Sequence, residues 1–207
     1  MKINSIQAVL AALLVTIIAV ACESAPKALP PESRLVVAVA GIENAPASAK
    51  SWDETLVSGL LKTLRFRVIE RAKLDALLAE NELSLSSLGD ATAAPKMLSV
   101  TGADAILFAK VTDIREYSGR WDDAVTGWWG DVSLGIEAKV AARLVSVANG
   151  EVLAATEVSG KAEAGNFSGA MGPSVVDKSR EDLTSEAIAA SLEVLAQKIA
   201  RDAPMKK

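Results

Sequence analysis

Cys22 is the only cysteine in the 207-residue chain, and the chain has no histidine. Those two facts limit the chemistry available. Nucleophile–imidazole pairs cannot be assembled, and the nitrogen and sulfur ligands that usually hold zinc are missing. Carboxylates remain, among them the adjacent Asp122 and Asp123. Two-carboxylate catalysis needs acids that converge on a bond from different segments. Neighbours in an extended segment point apart, so "WDD" (121–123) reads as a polar turn. No phosphate-cradling loop follows a strand: "GPSVV" (172–176) and "VTGWWGD" (125–131) lack the required glycine spacing. The residue types therefore predict no enzyme, no cofactor, no metal site and no small-molecule substrate.

What Cys22 can do depends on what precedes it. Lys2 leads into "IQAVLAALLVTIIAV" (6–20), apolar apart from one Gln and one Thr. That run suits a signal peptide and falls short of the ~20 apolar residues of a spanning helix. Ala19 and Ala21 are small residues at the −3 and −1 positions of a cleavage site after Ala21. The segment resembles a bacterial lipobox, although Ala19 stands where Leu is usual. The resemblance implies acylation, palmitate included, of a Cys22 that becomes the mature N-terminus. Ordinary cleavage leaving a free thiol and an uncleaved anchor are the competing readings. An unpaired thiol would be a liability in an oxidising periplasm. Each buried CH₂ of an acyl chain contributes ~0.8 kcal/mol, so several chains hold a protein firmly on a membrane. Glu23 is not the usual inner-membrane retention residue, so by analogy the anchor is expected in the outer membrane, with the protein facing the periplasm.

The expected organisation is a signal peptide (1–21), the attachment cysteine with a Pro-rich tether (22–33), one domain (34–203) and a short tail (204–207). Losing residues 1–21 removes Lys2 and takes the formal charge from −4 to about −5. A mildly acidic domain without a basic stretch argues against nucleic acid.

The domain must place its residues on a sheet. "RLVVAVAGI" (34–42) is an almost continuous apolar run, as in a strand buried on both faces. "SWDE" (51–54) has capping-box form and starts a helix carrying Trp52, Leu56, Leu60, Leu61 and Leu64 at helical spacing. A strand at 66–70 and helices at 71–83 and 92–103 follow, then a strand at 104–114. Over 132–144, Val132, Leu134, Ile136, Ala138, Val140, Ala142 and Leu144 alternate with mainly polar residues, which means a strand with one buried face. The chain reverses at Asn149-Gly150. A three-residue loop with Gly150 left-handed sets Leu144 beside Ala154 and Val140 beside Val158, and keeps the apolar face intact. Residues 164–178 lack alternation and read as loop. Residues 179–201 form an amphipathic helix with Ile188, Leu192, Leu195 and Ile199 on one stripe. The fold class is α/β, in the order β-α-β-α-α-β-β-β-α on one mixed sheet.

"LKTLRFRVIERAKLDALLAENEL" (61–83) resembles a hallmark of the curli production assembly/transport component (CsgG) family. Phe66, Val68, Glu70, Arg71, Leu74, Leu77, Leu78 and Glu80 fill the hallmark positions. "TGADAILFAKVTDI" (101–114) and "ARLVSVANGEVLAA" (142–155), with Gly150 in its turn, are similar to two further family blocks. Regular apolar spacing is usually about burial, so these positions identify a scaffold and not a reaction centre.

The resemblance implies one of three roles. The first is a membrane-anchored, non-catalytic lipoprotein that assists secretion or assembly of a surface structure, with a protein partner or as a homo-oligomer. The second is a subunit of a ring-forming outer-membrane channel, whose relatives each add two β-hairpins to a barrel. The third is a lipoprotein activator of a peptidoglycan synthase, for which the tether is short. In the first hairpin position, "REYSGRWDDAVTG" (115–127) carries charges on both parities, and 156–180 offers no pair of alternating strands. Both features argue against a pore. "GRWDDAVTGWWGD" (119–131) concentrates Trp121, Trp128 and Trp129 in what reads as a loop. It is expected to plug the end of the sheet or to touch a partner or the membrane interface.

Overall fold

The computed structural model describes residues 27–46, 52–83, 94–169 and 172–206. A short 3-10 turn, Pro31–Ser33, enters β1 (Leu35–Glu43). There follow α1 (Trp52–Lys62), β2 (Phe66–Ile69), α2 (Arg71–Glu80), α3 (Ala94–Thr101) and β3 (Ala105–Asp122). The chain ends with β4 (Trp129–Ser146), β5 (Val152–Gly169), β6 (Gly172–Val176) and α4 (Arg180–Asp202). One mixed sheet runs β2-β1-β3-β4-β5-β6. Its first three strands are parallel, and β3 to β6 pair antiparallel.

Burial explains both sequence patterns. Val37 and Val39 of β1 and Leu107 of β3 face a core closed by Trp52, Leu56 and Leu60 of α1 and by Leu183, Ile188, Leu192, Leu195 and Ile199 of α4. Ala38 and Ile106 face the other way, into a smaller core with Leu74 and Leu78 of α2 and Met97 of α3. β1 is apolar from Leu35 to Ile42 because helices cover both its faces. In β4, Ile136, Ala138, Val140, Ala142 and Leu144 all join the larger core. The residues between them face a side that neither α2 nor α3 reaches, hence the strict alternation.

The helix layer approaches the sheet most closely at Gly160 of β5. A Cβ there would run into the Ala187 carbonyl and the Ser191 amide of α4. Ser191 is fully buried and donates to the carbonyls of Ala138 and Ala187, at 2.9 Å each. Ser179 caps α4 by accepting from the Asp182 amide at 3.1 Å.

Four expectations change. The stripe on α1 is narrower: Leu61 and Leu64 are 48% and 46% exposed. The Thr63 hydroxyl bonds the Leu60 carbonyl at 2.6 Å where the helix ends, and Leu64 turns left-handed (φ 55°) into β2. The hairpin keeps Leu144 opposite Ala154 and Val140 opposite Val158, with Gly150 at φ 71°. Its turn is longer, however. Ser146 N–H donates to the Glu151 carbonyl at 2.8 Å, and the extra residue is absorbed where the register shifts at Leu144/Val145. The cause is Val147, which is drawn out of the ladder and fully buried in the smaller core.

Residues 115–122, expected outside the strands, continue β3. Residues 164–178, expected as loop, supply the end of β5 and all of β6. Ladder hydrogen bonds are made by the backbone, so glycine- and serine-bearing segments can join a sheet without an alternating pattern. The proposed cap Ser51 lies outside the described residues.

Candidate functional site

β3 and β4 run on past the N-terminus of α4, where Arg180 pairs with Glu116. Together with the end of β5 and β6 they form a four-stranded extension of the sheet. The register of β4 shifts between Val132 and Leu134 against β5 and between Val132 and Gly135 against β3, and the Ser133 hydroxyl bonds the Ala164 carbonyl at 3.1 Å there. This bulge re-aims the extension relative to the body of the strand.

Directly paired residues share a face, so the register defines both surfaces. On one face stand Trp121–Gly130–Phe167–Ser174, then Gly119–Val132–Gly165–Val176, then Tyr117–Gly135–Glu163. Aromatic rings alternate with glycines across the strands, and the rings fill the glycine spaces. A Cβ on Gly130 would collide with the Trp121 indole, and one on Gly135 with the Tyr117 ring. The other face carries Arg120, Asp122, Trp129, Asp131, Asn166 and Ser168. Arg120 pairs with Asp122 at 3.5 Å and lies 5.9 Å from the Trp129 ring centre.

The parity argument from the sequence is thereby corrected. Arg115 and Asp123 fall at the two ends of the extension. Between them Glu116, Arg120 and Asp122 all occupy even positions, while Tyr117, Gly119 and Trp121 occupy odd ones. The segment has an apolar face after all.

The tip is a built turn. The Asp123 carboxylate accepts from the amides of Val125 (2.9 Å) and Thr126 (3.4 Å). These bonds hold its pKa below the ordinary carboxylate value. Val125 and Trp128 are solvent-exposed, whereas Trp129 is half-buried. The Trp-rich stretch is therefore a hairpin: Trp121 and Trp129 sit on its strands and Trp128 at its tip. At the inner end of the aromatic face, the Tyr117 hydroxyl donates to Glu163 at 2.6 Å. Burial first, then this carboxylate, push the phenol pKa well above its ordinary value. Sequence reasoning missed Tyr117, Glu163 and Phe167. Nothing in their spacing shows that three strands bring them together.

A cavity of about 700 Å³ opens near the ends of β1 and β2, where α1 and α2 depart to opposite faces. Open α/β sheets commonly bind ligands at such a switch point. Asp53, Glu54, Glu70, Asp75, Lys62 and Arg71 line it. Arg71 bonds Asp75 at 3.3 Å, and its guanidinium covers Gly41, which has φ 93°. Of the other hallmark residues, Phe66 and Leu74 are buried in the two cores, and Val68 packs partly buried on the larger. Glu70 is exposed at the start of α2 and makes no side-chain cap bond. Ala21 and Cys22 lie outside the described residues. Among the described residues, no group of three His, Cys, Asp or Glu could hold a metal ion, and no helix is long and apolar enough to cross a membrane.

Several solved structures are similar to this chain. Lipoprotein GNA1162 from Neisseria meningitidis is 18% identical, with 62% of this chain and 83% of that one covered and a TM-score of 0.40. The LpoB C-terminal domain from Escherichia coli is 18% identical over 64% of this chain and 86% of that one, with a TM-score of 0.39. The PelC dodecamer from Paraburkholderia phytofirmans is 14% identical over 87% and 96%, with a TM-score of 0.37. No curated protein sequence matches. Residues 27–203, nearly the whole described chain, match the curli production assembly/transport component CsgG, and the chain belongs to that family.

Proposed function

We propose that this chain is a non-catalytic lipoprotein, held by an acylated Cys22 in the outer membrane and facing the periplasm, which assists secretion or assembly of an envelope or surface structure through protein contacts. Membership of the CsgG family supports the assembly role. The observation that carries the non-pore form of this reading is the length of the sheet extension. β6 has five residues, and β3 continues only from Tyr117 to Asp122 beyond its Glu116 contact with α4. A membrane strand needs ~9–11 residues with alternate positions facing lipid. The extension is long enough to present a surface and too short to cross a bilayer. Its aromatic face, with Trp121, and its tip, with Trp128, are the contact surface in this reading, and Trp129 braces the tip from the charged side.

The channel reading has one observation in its favour: both positions where pore-forming relatives carry hairpins are hairpins here as well. The test is conductance. Full-length protein extracted in detergent and added to planar bilayers is expected to give no channels. Stable ion-conducting pores from a large ring would overturn the non-pore reading.

A further inference from the structure

The sheet is notched on its β2 side. β2 has four residues and ends at Ile69 opposite Ala38, while β1 runs on to Glu43. Beyond Ala38, no strand lies on that side of β1 among the described residues. α1 lies on one face of the sheet and α2 on the other, and the cavity of about 700 Å³ opens in the gap between them. Ligand pockets usually enclose ~300–1,000 Å³, so this one has room for a short piece of polypeptide.

Its walls are amphipathic. α1 turns two rows of side chains to the cavity, each with a spacing of four: Asp53, Val57 and Leu61, then Glu54, Ser58 and Lys62. Val39 belongs to the larger core, and Val57 packs against it. Leu61 is left outside that core and carries the same apolar surface on into the cavity, where it is 48% exposed.

The polar part of the wall is acidic, and its two cations are already engaged. Arg71 is held by Asp75 at 3.3 Å and by its seat over Gly41. Lys62, in the last turn of α1, reaches out to Glu193 of α4 at 3.7 Å. Asp53, Glu54 and Glu70 make no ion pair and no side-chain hydrogen bond among the described residues. Asp53 and Glu54 stand in the first turn of α1, and Glu70 at the N-cap of α2. Each helix start supplies about half a positive charge, which offsets part of the repulsion among the three acids. Two such ends against three full negative charges leave the cavity negative.

A complementary ligand brings a positive charge to the acids and an apolar group to Val57 and Leu61. A lysine or arginine next to a leucine-like residue does both, because its aliphatic stem packs on apolar surface while its head stays with the carboxylates. A bare polyamine satisfies the charge and leaves Leu61 uncovered.

We propose that this notch binds a basic-apolar segment of a partner protein, with a Lys or Arg side chain held by Asp53, Glu54 and Glu70 and a neighbouring apolar side chain on Val57 and Leu61. This assignment rests on the reading that the chain works through protein contacts, and it gives those contacts a second address, apart from the hairpin tip.

The test uses the full chain in detergent and a dye-labelled Leu-Lys-Leu peptide with blocked ends, followed by fluorescence anisotropy. Saturable binding with a Kd below about 1 mM is expected. Asp53→Asn combined with Glu70→Gln should weaken it at least tenfold, and Leu61→Gln about threefold. Asp177→Asn, an exposed carboxylate after β6, should leave it unchanged. Circular dichroism verifies that each variant is folded. No saturable binding, or equal binding of a Leu-Glu-Leu peptide, overturns the proposal. Binding that survives the double substitution overturns it too, because the peptide then sits elsewhere. A loss in Asp177→Asn as large as in the double variant would mean attraction to the acidic domain as a whole. Equal affinity for a Ser-Lys-Ser peptide or for spermidine would mean a site for a bare cation, and rules out the apolar half. Conductance bears on none of these outcomes, so the peptide site and the non-pore reading fail separately.

Discussion

Gly160 of β5 lies directly beneath Ser191 of α4, with no room for a Cβ between strand and helix. The contact fixes where the long C-terminal helix crosses the sheet, because Ser191 also bonds the Ala138 carbonyl on the neighbouring strand. Gly160→Ala should therefore destabilise the domain by about 2–3 kcal/mol through overpacking against backbone that cannot move aside. Ser191→Ala leaves the Ala138 carbonyl without this partner and should cost about 1–2 kcal/mol. Urea unfolding reads both as a lower midpoint at unchanged slope. An unaltered midpoint for Gly160→Ala would show that α4 does not sit this close.

Tyr117 is the chain's one tyrosine, so its ionisation can be followed without interference from another. Burial and the bonded Glu163 carboxylate raise its pKa. A raised folded value means stability that is present below the unfolded value of ~10 and lost as pH rises through the folded one. At a pH near ~10.5 the folded protein should show almost no tyrosinate absorbance, while protein in urea shows most of it. Glu163→Gln should bring the folded value down toward the ordinary one. Matching titrations of folded and unfolded protein would contradict the hydrogen bond.

Asp123 tests the hairpin tip from the acid side. Its lowered pKa means that the carboxylate stabilises the turn above the unfolded value of ~3.9, and that this is lost as pH falls through the lower folded value. The Val125 and Thr126 amides should exchange with solvent about tenfold faster in Asp123→Ala, with exchange in the body of β4 unchanged. Uniform exchange across the variant and the native protein would mean that the tip is held by something else.

Acylation at Cys22 predicts that Cys22→Ser abolishes labelling by a tagged palmitate and moves the protein from the membrane to the soluble fraction. Labelling that persists in the variant would refute attachment at this residue.

Gly130 and Trp121 offer a fourth structural check. Gly130→Val should displace the indole from its seat, raising the quenching of tryptophan emission by a soluble quencher while global stability falls by about 1–3 kcal/mol. Trp52 is buried and contributes a constant background, and the comparison is made with Trp128→Phe and Trp129→Phe in both chains so that the change reports Trp121.

Much of the fold was legible wherever burial is periodic. The two-sided burial of β1, the one-sided burial of β4 and the stripe on α4 each leave a pattern, because the hydrophobic face repeats with the geometry of the element. The β4–β5 register was legible for the same reason: only one alignment keeps Leu144, Ala154, Val140 and Val158 on the same side. The turn was misjudged because Val147 is captured by a second core built from distant α2 and α3. β6 and the end of β5 were invisible because backbone ladders require no side-chain pattern.

The sequence by itself determined the chemistry that is unavailable, with no histidine and one cysteine at the end of a leader-like run, and it determined which residues could be core. Tertiary structure decided what the tryptophans do. Trp121 and Gly130 belong to one hairpin, Phe167 lies far along the chain from both, and the three become one row only when three strands align. A bulge at Ser133 then selects the face they share. Period-2 geometry says that neighbours alternate, but it cannot say which alternate set a remote strand will join, since that depends on pairing across the sheet.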